Sequence, residues 1–483
     1  MANNKFFIGR EKEQKLLNDY LNSEQSEFIA IYGRRRVGKT YLIQQVVGDN
    51  YAFYAAGMNK VSMRMQLSNF MEGIRRKAGK APAVKSWLEA FFALESYLES
   101  LPQGRKIVFI DEMPWMDTPR SNFISGLEHF WNSWASWRND IKLIVCGSAT
   151  SWIINNLIKN RGGLHNRVTH KIPLKPFSLG ECQTYFSTLG FRYSNKQIAE
   201  CYMVLGGVPY YLSKMEKSES VAHNIDRLLF AEDGELRDEF QSLYNSLYKN
   251  ASNHIKVVTA LASKGMGLTR QEIIAKTKIA DNGKFSTILE ELDNCGFIRC
   301  YEPFSANMNK KGTDERQSPD TLYQLVDPFT LFHFQVMRKA SSHDATYWTN
   351  NQNSTSHNIW CGLSFEMLCL NHIEQIKNAL GISGIASNVF SWFGKGDTRK
   401  AQIDMLIDRA DMTINVCEMK YYNKPYALTA KDEEDIERKV STLVEATGTD
   451  KSVIVTMITT KGIEKNEHSS CVQKELTLDD LFC

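Results

Sequence analysis

The sequence lacks any apolar run long enough to cross a lipid bilayer. Its opening residues, MANNKFFIGREKEQ, also lack the hydrophobic stretch of a signal peptide. The ten cysteines contain no Cys-x-x-Cys pair and no regular spacing, so neither a zinc knuckle nor a disulfide framework is predicted. We therefore expect a cytoplasmic protein in a reducing compartment, without a membrane partner.

A large excess of charge of one sign is also missing. The net charge of +3 on 483 residues neither requires nor excludes a nucleic-acid partner, because a local basic face matters more than the total. What the chain has in quantity is hydrophobic residues, 43% of the total, which is ample for folded domains. One hydrophobic core rarely organises a chain of this length, so about two to four domains are expected.

The first third of the chain alternates apolar strands with helical stretches. Residues 28–33, 106–112 and 142–148 are short apolar runs, and a helix is predicted from about Lys39 to Val47. Strands of this kind, separated by helices, indicate a parallel sheet covered on both faces. We predict an α/β core over residues 1–177.

The rest of the chain divides into four segments. Residues 178–250 are mostly helical. Residues 251–335 show three helices and a two-stranded wing, an order that resembles a winged helix, with a small helical spacer as the alternative. The Asn- and Ser-rich residues 336–359 predict a connector, and residues 360–483 predict a separate α/β domain.

The segment after the first predicted strand matches the pattern Gly-x4-Gly-Lys-[Ser/Thr]. Such a loop can turn its backbone N–H groups around phosphate oxygens, and the next helix presents its positive N-terminus. Lys39 would contact the β and γ phosphates, and the Thr40 hydroxyl would bind Mg²⁺. The pattern predicts a P-loop that binds ATP with Mg²⁺; an ordinary strand-to-helix turn is the alternative. The predicted nucleotide-binding residues are Gly33, Arg34, Arg35, Arg36, Val37, Gly38, Lys39, Thr40, Tyr41 and Ser148.

Two acidic residues end the second predicted strand, at the edge where an open α/β sheet binds its ligand. Asp111 is suited to hold Mg²⁺, and Glu112 to polarise the attacking water; a helix N-cap is the alternative. Ser148 ends the third strand and would sense the γ-phosphate, and Arg167 would stabilise charge in the transition state. A plain strand-end serine and a surface arginine are the alternatives for these two.

Six segments together resemble the motifs of a known family, the prokaryotic predicted ATPases of the AAA+/STAND class. These are similar to archaeal-type ATPases and, more distantly, to origin-recognition ATPases. The resemblance covers about residues 6–212. It is carried by FIGREKEQKLL, GRRRVGKT, VFIDEMPWM, VCGSATSWI, GLHNRVTHKIPLKPFS and GGVPYYL.

The resemblance implies roles that the residues alone leave open. It implies that residues 8–10 lie near the adenine, that Ser148 is the sensor and that Arg167 is the arginine finger. It also implies that the GGVP segment starts a helical lid, which we assign to residues 178–250. A winged helix often follows in this family, in agreement with the pattern of residues 251–335.

The last domain contains a cluster of acidic and basic residues. Glu418 and Lys420 would project from one face of a strand, and a hairpin would bring Asp404 alongside. Two carboxylates can hold a divalent metal, and a neighbouring lysine can stabilise developing negative charge. Solvated charges on a strand are the alternative.

A helix bearing Glu366, then a strand pair, a helix and a strand, resembles the PD-(D/E)xK nuclease fold, from about residue 360 to 482. By that resemblance Glu366, Asp404, Glu418 and Lys420 are the catalytic positions, with Asp404 and Glu418 as metal ligands. The proline that usually precedes the aspartate is replaced by Ile403. Such domains can also keep these residues and serve only to bind.

Three hypotheses of function follow. The first is an ATP-controlled enzyme that acts on DNA, with a metal-dependent nuclease at its C-terminus. The second is an ATP-dependent signalling or assembly switch, in which a homo-oligomer forms and the last domain only binds a partner or DNA. The third is a transcription regulator that uses the winged helix, where Lys276, Lys278 and Lys284 would mostly meet phosphates.

Overall fold

The computed structural model describes residues 8–248, 250–301, 304, 321–340, 344–394 and 401–483. The chain divides into two compact units, Met1–Pro176 and Phe177–Cys483. Within the described ranges, no helix is both long enough and apolar enough to cross a membrane.

The first unit is built on a five-stranded parallel sheet with the strand order β2-β3-β4-β1-β5. Its helices flank the sheet. The strands are β1 (Glu27–Tyr32), β2 (Tyr51–Ala56), β3 (Lys106–Asp111), β4 (Ile141–Gly147) and β5 (His170–Pro173). The helices are α1 (Glu11–Leu21), α2 (Lys39–Val47), α3 (Met63–Ala78), α4 (Trp87–Ser100), α5 (Phe123–His129) and α6 (Thr150–Ile153). The α/β fold with a parallel central sheet, predicted from the sequence, is confirmed.

Both faces of this sheet are buried. Successive strand residues point to opposite faces, so Phe28 and Ala30 of β1 join one apolar cluster while Ile29 and Ile31 join another. A parallel sheet with both faces covered needs apolar residues at every strand position. This is why its strands read as continuous hydrophobic runs.

The second unit begins with helices and continues into a small three-stranded sheet of order β6-β8-β7. The antiparallel strands β7 and β8 pair beside the two-residue strand β6. The first helices are α7 (Leu179–Thr188), α8 (Asn195–Leu205), α9 (Pro209–Leu212), α10 (Val221–Ile225) and α11 (Glu239–Leu247). They are followed by α12 (Ser252–Leu261), β6 (Leu268–Thr269), α13 (Arg270–Thr277), α14 (Gly283–Asn294), β7 (Ile298–Tyr301), β8 (Leu322–Leu325) and α15 (Pro328–Gln335).

The predicted connector over residues 336–359 contains two helices, α16 (Tyr347–Asn350) and the start of α17 (Thr355–Asn371). The backbone N–H groups of Trp348 and Thr349 donate to the carboxylate of Asp226, at 2.8 and 2.9 Å. Because Asp226 is buried, this pair of bonds fixes the segment to the helices that precede the small sheet.

The end of the chain forms a mixed five-stranded sheet of order β15-β13-β11-β10-β9. Strands β9, β10 and β11 are antiparallel neighbours, whereas β11, β13 and β15 run parallel. The elements are α18 (Ile373–Ala379), β9 (Ser387–Phe393), β10 (Gln402–Arg409), β11 (Thr413–Lys420), β12 (Tyr426–Ala427), α19 (Ala430–Thr447), β13 (Ser452–Thr459), β14 (Ile463–Glu464) and β15 (Lys474–Thr477).

One cluster of buried apolar residues runs through all of the second unit. It includes Met203 of α8, Phe329 of α15, Phe365 of α17 and Ile458 of β13. The predicted lid, middle domain and C-terminal domain therefore share a continuous core, and a displacement in one is felt by its neighbours.

Candidate functional site

The loop between β1 and α2 has the backbone geometry of a tight turn. Gly33 has φ 151°, and a Cβ there would lie 2.1 Å from the carbonyl oxygen of Leu174, so only glycine fits. Gly38 has φ 91° and immediately precedes α2, whose first residue is Lys39. The loop therefore delivers the lysine and the positive end of a helix to the edge of the sheet.

The side chain of Lys39 closes this loop. Its ammonium donates to the carbonyl oxygens of Gly33 and Arg34, at 2.8 and 2.9 Å, and Lys39 is buried. Arg10, also buried, donates to the carbonyl oxygens of Val37 and Lys175. Arg10, one of the residues implied to lie near the adenine, therefore contacts the phosphate loop directly.

The other predicted loop residues differ in exposure. Arg34 and Val37 are buried, Arg36 is half-buried, and Arg35 and Tyr41 are exposed. Arg34 is therefore packed inside the turn, whereas Arg35 faces solvent.

The side-chain oxygens of Thr40 and Asp111 lie close together, as two ligands of one metal ion would. The Thr40 hydroxyl lies 3.2 and 3.0 Å from the two carboxylate oxygens of Asp111, which ends β3. Asp111 is buried and also accepts the Glu112 N–H at 2.8 Å. A hydroxyl beside a carboxylate is the donor set that Mg²⁺ prefers, so these residues fit the predicted metal.

Glu112 and Ser148 are held together across the strand ends. Glu112 has φ 42°, and its carboxylate accepts the N–H and the hydroxyl of Ser148, at 3.1 and 3.0 Å. The strand order places β4, which Ser148 follows, between β1 and β3. The Ser148 hydroxyl therefore emerges between the phosphate loop and the acidic pair.

Cys146 is a contact of this site that the sequence did not indicate. Its thiol donates to Asp111 at 2.6 Å, and burial followed by the charge of Asp111 raises the pKa of the thiol well above its usual value. The thiol therefore remains protonated and serves as a donor. The only signal in the sequence was its place in an apolar strand.

Arg167 lies between α6 and β5, and its side chain is exposed. Its role as the arginine finger stays a prediction.

The C-terminal residues predicted to act together do lie together. Met405 of β10 pairs with Cys417 of β11, so Asp404 and Glu418 are the next residues along these two strands. Lys420 follows on the same face as Glu418. Glu366 lies on α17, which packs against β11.

Both carboxylates of this strand pair have local partners. Glu418 is buried and accepts the ammonium of Lys439 at 2.6 Å, while Asp404 accepts the amide of Gln402 at 2.6 Å. Lys439 lies on α19, a helix rich in charges of both signs, so the sequence did not single it out. The ion pair shows that the face of α19 that carries Lys439 is turned to the site.

The surroundings of the cluster favour the protonated form of one carboxyl group, that of Glu366. Burial, followed by the charge of Asp404, raises the pKa of Glu366 to about 8. Burial also raises the pKa of Glu418, although Lys439 opposes the shift. Buried carboxylates that repel one another are stabilised by a nearby cation, as they are in sites that bind a divalent metal.

In the part of the chain that the structure describes, no three side chains of His, Cys, Asp or Glu form a group that could hold a metal ion. Mg²⁺ often uses only one or two carboxylates and takes further oxygens from the substrate phosphate and water. Asp404 and Glu418 fit this second arrangement. Glu418 and Lys420 line a cavity of about 10 Å³, which has room for about one water molecule.

The raised pKa of Glu366 predicts a pH-dependent stability. An unfolded glutamate releases its proton near pH 4.3, whereas folded Glu366 keeps it to about pH 8, so the chain loses stability as pH rises through this window. We expect Glu366→Gln to be more stable than the wild type by about 2 to 4 kcal/mol at pH 9 and equal to it below pH 4. Urea unfolding of the metal-free chain at several pH values measures the difference.

Glu445→Gln, at an exposed glutamate of the same domain, is the matched control for that series. If Glu366→Gln and Glu445→Gln follow the wild-type dependence equally, Glu366 is not the group that titrates.

Comparison with known proteins agrees with the geometry of the first unit. Residues 7–215 match the family model described as an ATPase domain predominantly from Archaea. An uncharacterized protein of Methanocaldococcus jannaschii is 23% identical over 475 residues, which are 97% of this chain and 99% of that protein.

Two solved structures resemble the chain more weakly. A Walker-type ATPase of Pyrococcus abyssi is 18% identical with a TM-score of 0.46, over 68% of this chain and 96% of that chain. The ORC2 protein of Aeropyrum pernix, solved in ADPNP–ADP complexes, is 16% identical with a TM-score of 0.38, over 70% and 96%. At these scores the structural likenesses add nothing to the family match. That match, on a chain with this phosphate loop, identifies residues 7–215 as an ATPase domain that binds ATP.

Proposed function

We propose that this ATPase acts on DNA and that its C-terminal domain is a metal-dependent nuclease controlled by ATP. The observation that carries the proposal is the cluster formed by Glu366 of α17 with Asp404, Glu418 and Lys420 of the mixed sheet. It lies within the same compact unit as the helices assigned to the lid. An acidic cluster with a lysine on the same strand is the chemistry that phosphodiester hydrolysis requires.

In the ATPase site, Lys39 would leave the loop carbonyls to bind the phosphates, and Thr40 and Asp111 would hold Mg²⁺. Bound Mg²⁺ would neutralise charge on the β and γ phosphates. Glu112 accepts a proton from the attacking water once Ser148 releases it, and Ser148 senses the γ-phosphate. The hydrogen bonds of Ser148 to Glu112 support this exchange, because they keep the base occupied in the nucleotide-free chain.

DNA contact is proposed for the middle domain. The order α12, β6, α13, α14, β7, β8 supports a winged helix, with α14 in the place of the recognition helix. Its first turns expose Lys284, Ser286 and Thr287, whereas its last turns carry Glu290 and Asp293. Helices of this kind use their N-terminal residues to meet DNA, and the charge distribution supports that orientation. Residues 305–320, between β7 and β8, lie outside the described residues.

In the nuclease site, Asp404 and Glu418 would hold the metal, which would lower the pKa of a bound water and neutralise phosphate charge. Lys420 stabilises the negative charge that develops on the phosphate. Glu366, protonated in the metal-free chain, would release its proton to solvent when a cation enters and would then accept a hydrogen bond from the water. Lys439 must release Glu418 for this to happen.

A contact inside the second unit supports control by the lid. The hydroxyl of Tyr421, next to Lys420, donates to Glu200 of α8 at 2.7 Å. The ammonium of Lys196, also on α8, lies 5.8 Å from the centre of the Tyr421 ring. A movement of α8 would therefore displace the end of β11 and, with it, the lysine of the site.

The second candidate function is an ATP-dependent switch whose last domain only binds. The ion pair between Lys439 and Glu418, at 2.6 Å, favours it, because this cation occupies a carboxylate that a metal would need. With this ion pair intact, the C-terminal domain would bind a partner or DNA without cleaving it, and ATP would control assembly.

The first prediction tests the ATPase site. Lys39→Ala should weaken binding of Mg-ATP by about 100-fold, since it removes a charge-assisted contact to phosphate. Glu112→Gln should keep the affinity and slow hydrolysis by about 100-fold or more, because it removes the base. Calorimetry and phosphate release measure the two effects, with Lys80→Ala, at an exposed lysine, as the control. Equal hydrolysis in Glu112→Gln and wild type would remove Glu112 from the mechanism.

The second prediction tests the nuclease site. Purified protein should cleave single-stranded, duplex or branched DNA with Mg²⁺ or Mn²⁺, and Lys420→Ala should lower the rate by about 100-fold through loss of charge stabilisation. Lys424→Ala changes an exposed lysine four residues further on and should cleave as the wild type does. Absence of cleavage in every condition, with ATP still bound, would favour the switch.

The third prediction tests the coupling. Tyr421→Phe removes the bond to Glu200 and keeps the ring, so basal cleavage should persist while the effect of ATP falls by about fivefold or more. Glu200→Ala, which removes the acceptor, should act in the same way, and the double variant should be no worse than either. Tyr422→Phe, at the exposed neighbouring tyrosine, is the control. If ATP changes the cleavage rate of Tyr421→Phe as much as that of the wild type, this contact does not transmit the control.

A further inference from the structure

The small sheet of the middle domain has two unlike faces. Ile298 and the β8 residues Tyr323 and Leu325 belong to the apolar core on one face. The other face carries Arg299 of β7 and, directly across from it, Gln324 of β8. An arginine on a sheet face that is not open to water needs partners for its charge.

Arg299 finds those partners on both sides of a domain boundary. Its Nε donates to the side-chain oxygen of Gln324 at 2.7 Å, and its guanidinium lies 4.7 Å from the centre of the Tyr301 ring. Its Nη2 donates to the hydroxyl of Ser391 at 3.3 Å, and Ser391 is a buried residue of β9. The fork of the guanidinium thus joins the middle sheet to the edge strand of the C-terminal sheet.

Ser391 lies opposite an irregularity at Asp404. Between β9 and β10 the register shifts, since Ile403 pairs with Trp392 but Leu406 pairs with Phe390. Two residues, Asp404 and Met405, therefore oppose Ser391 alone, which is a β-bulge. The Ser391 hydroxyl donates to the backbone oxygen of Asp404 at 2.6 Å. Bulges next to functional sites re-aim a side chain, and this one holds a carboxylate of the acidic cluster.

We propose that Arg299 is a positioning residue for Asp404, acting through Ser391 on the bulge that sets the direction of the carboxylate. The proposal rests on the proposed function in that Asp404 is taken as a metal ligand. It follows that the acidic site is not complete within residues 360–483: one of its determinants comes from the middle domain, which precedes it by about a hundred residues in the chain.

The chemistry of the side chain explains why an arginine stands here. Burial lowers the pKa of Arg299, and the nearby charges of Tyr301 and Asp404 oppose that shift. A planar fork can donate to Gln324 and Ser391 at once, in fixed directions, whereas a lysine ammonium at the end of a flexible stem cannot hold both. An apolar residue would cover the face at lower cost but would leave Ser391 free to rotate away from Asp404.

The test compares Arg299→Lys, Ser391→Ala and the double variant in the full chain. Hydrogen exchange of peptides covering residues 387–393 and 401–409 should be faster by about tenfold in each single variant, and no faster in the double variant. Cleavage of DNA should fall in kcat, on the order of 100-fold, with KM for DNA unchanged, because misplacement affects the chemical step. Arg270→Lys, at the arginine that pairs with exposed Asp281, is the control for both measurements.

The two readouts separate the failure of this inference from that of the proposed function. Faster exchange with a wild-type chain that does not cleave DNA would keep Arg299 as the positioning residue and discard the nuclease. Unchanged exchange in Arg299→Lys and in Ser391→Ala would overturn the inference, whatever the cleavage rates. A rise in KM with kcat unchanged would also overturn it, since Arg299 would then touch DNA rather than position Asp404. If Arg299→Lys does not fold, Ser391→Ala alone decides between these outcomes.

Discussion

The cost of removing charged groups from water is the constraint on which both sites depend. A buried ion costs several kcal/mol unless hydrogen bonds or an opposite charge offset it. In the first unit the loop carbonyls satisfy Lys39, and Thr40 and a thiol satisfy Asp111. In the second unit Lys439 satisfies Glu418. On the proposed function, Lys39 would leave the loop carbonyls for a phosphate and Glu418 would leave Lys439 for a metal ion. Ligand binding and local rearrangement would then be one event at both sites.

Much of the frame was predictable because it depends on local pattern. The helix over 39–47 and the strand pair around Glu418 follow from periodicity and turn residues, and the structure has them where the pattern predicts. What could not be predicted are contacts between residues distant in the chain. Cys146 reads as one more apolar strand residue, and Lys439 as one more charge on a polar helix. Arg299 gave no signal, because its partner Ser391 lies ninety-two positions further along the chain.

The predicted connector over residues 336–359 shows how little composition says about local structure. Asn and Ser are typical of loops, but they also cap helices. Ser354 accepts the N–H of His357 at 3.2 Å and caps α17, and the buried carboxylate of Asp226 accepts two backbone donors from the same segment. A polar stretch is a loose linker only if nothing satisfies its backbone. Here distant side chains do so, which no local pattern reveals.

The two candidate functions differ in one equilibrium, the opening of the ion pair between Lys439 and Glu418. On the proposed function, the C-terminal domain would only bind while Lys439 holds Glu418, and would present two carboxylates and Lys420 to a phosphodiester once this ion pair opens. A coupling free energy of about 1 to 3 kcal/mol shifts such an equilibrium by roughly 5- to 150-fold. Tyr421 directly follows β11, which carries Glu418, and Arg299 contacts β9, the neighbour of the strand that carries Asp404. We therefore propose that the lid and the middle domain act on the same equilibrium, and that the nucleotide state sets it.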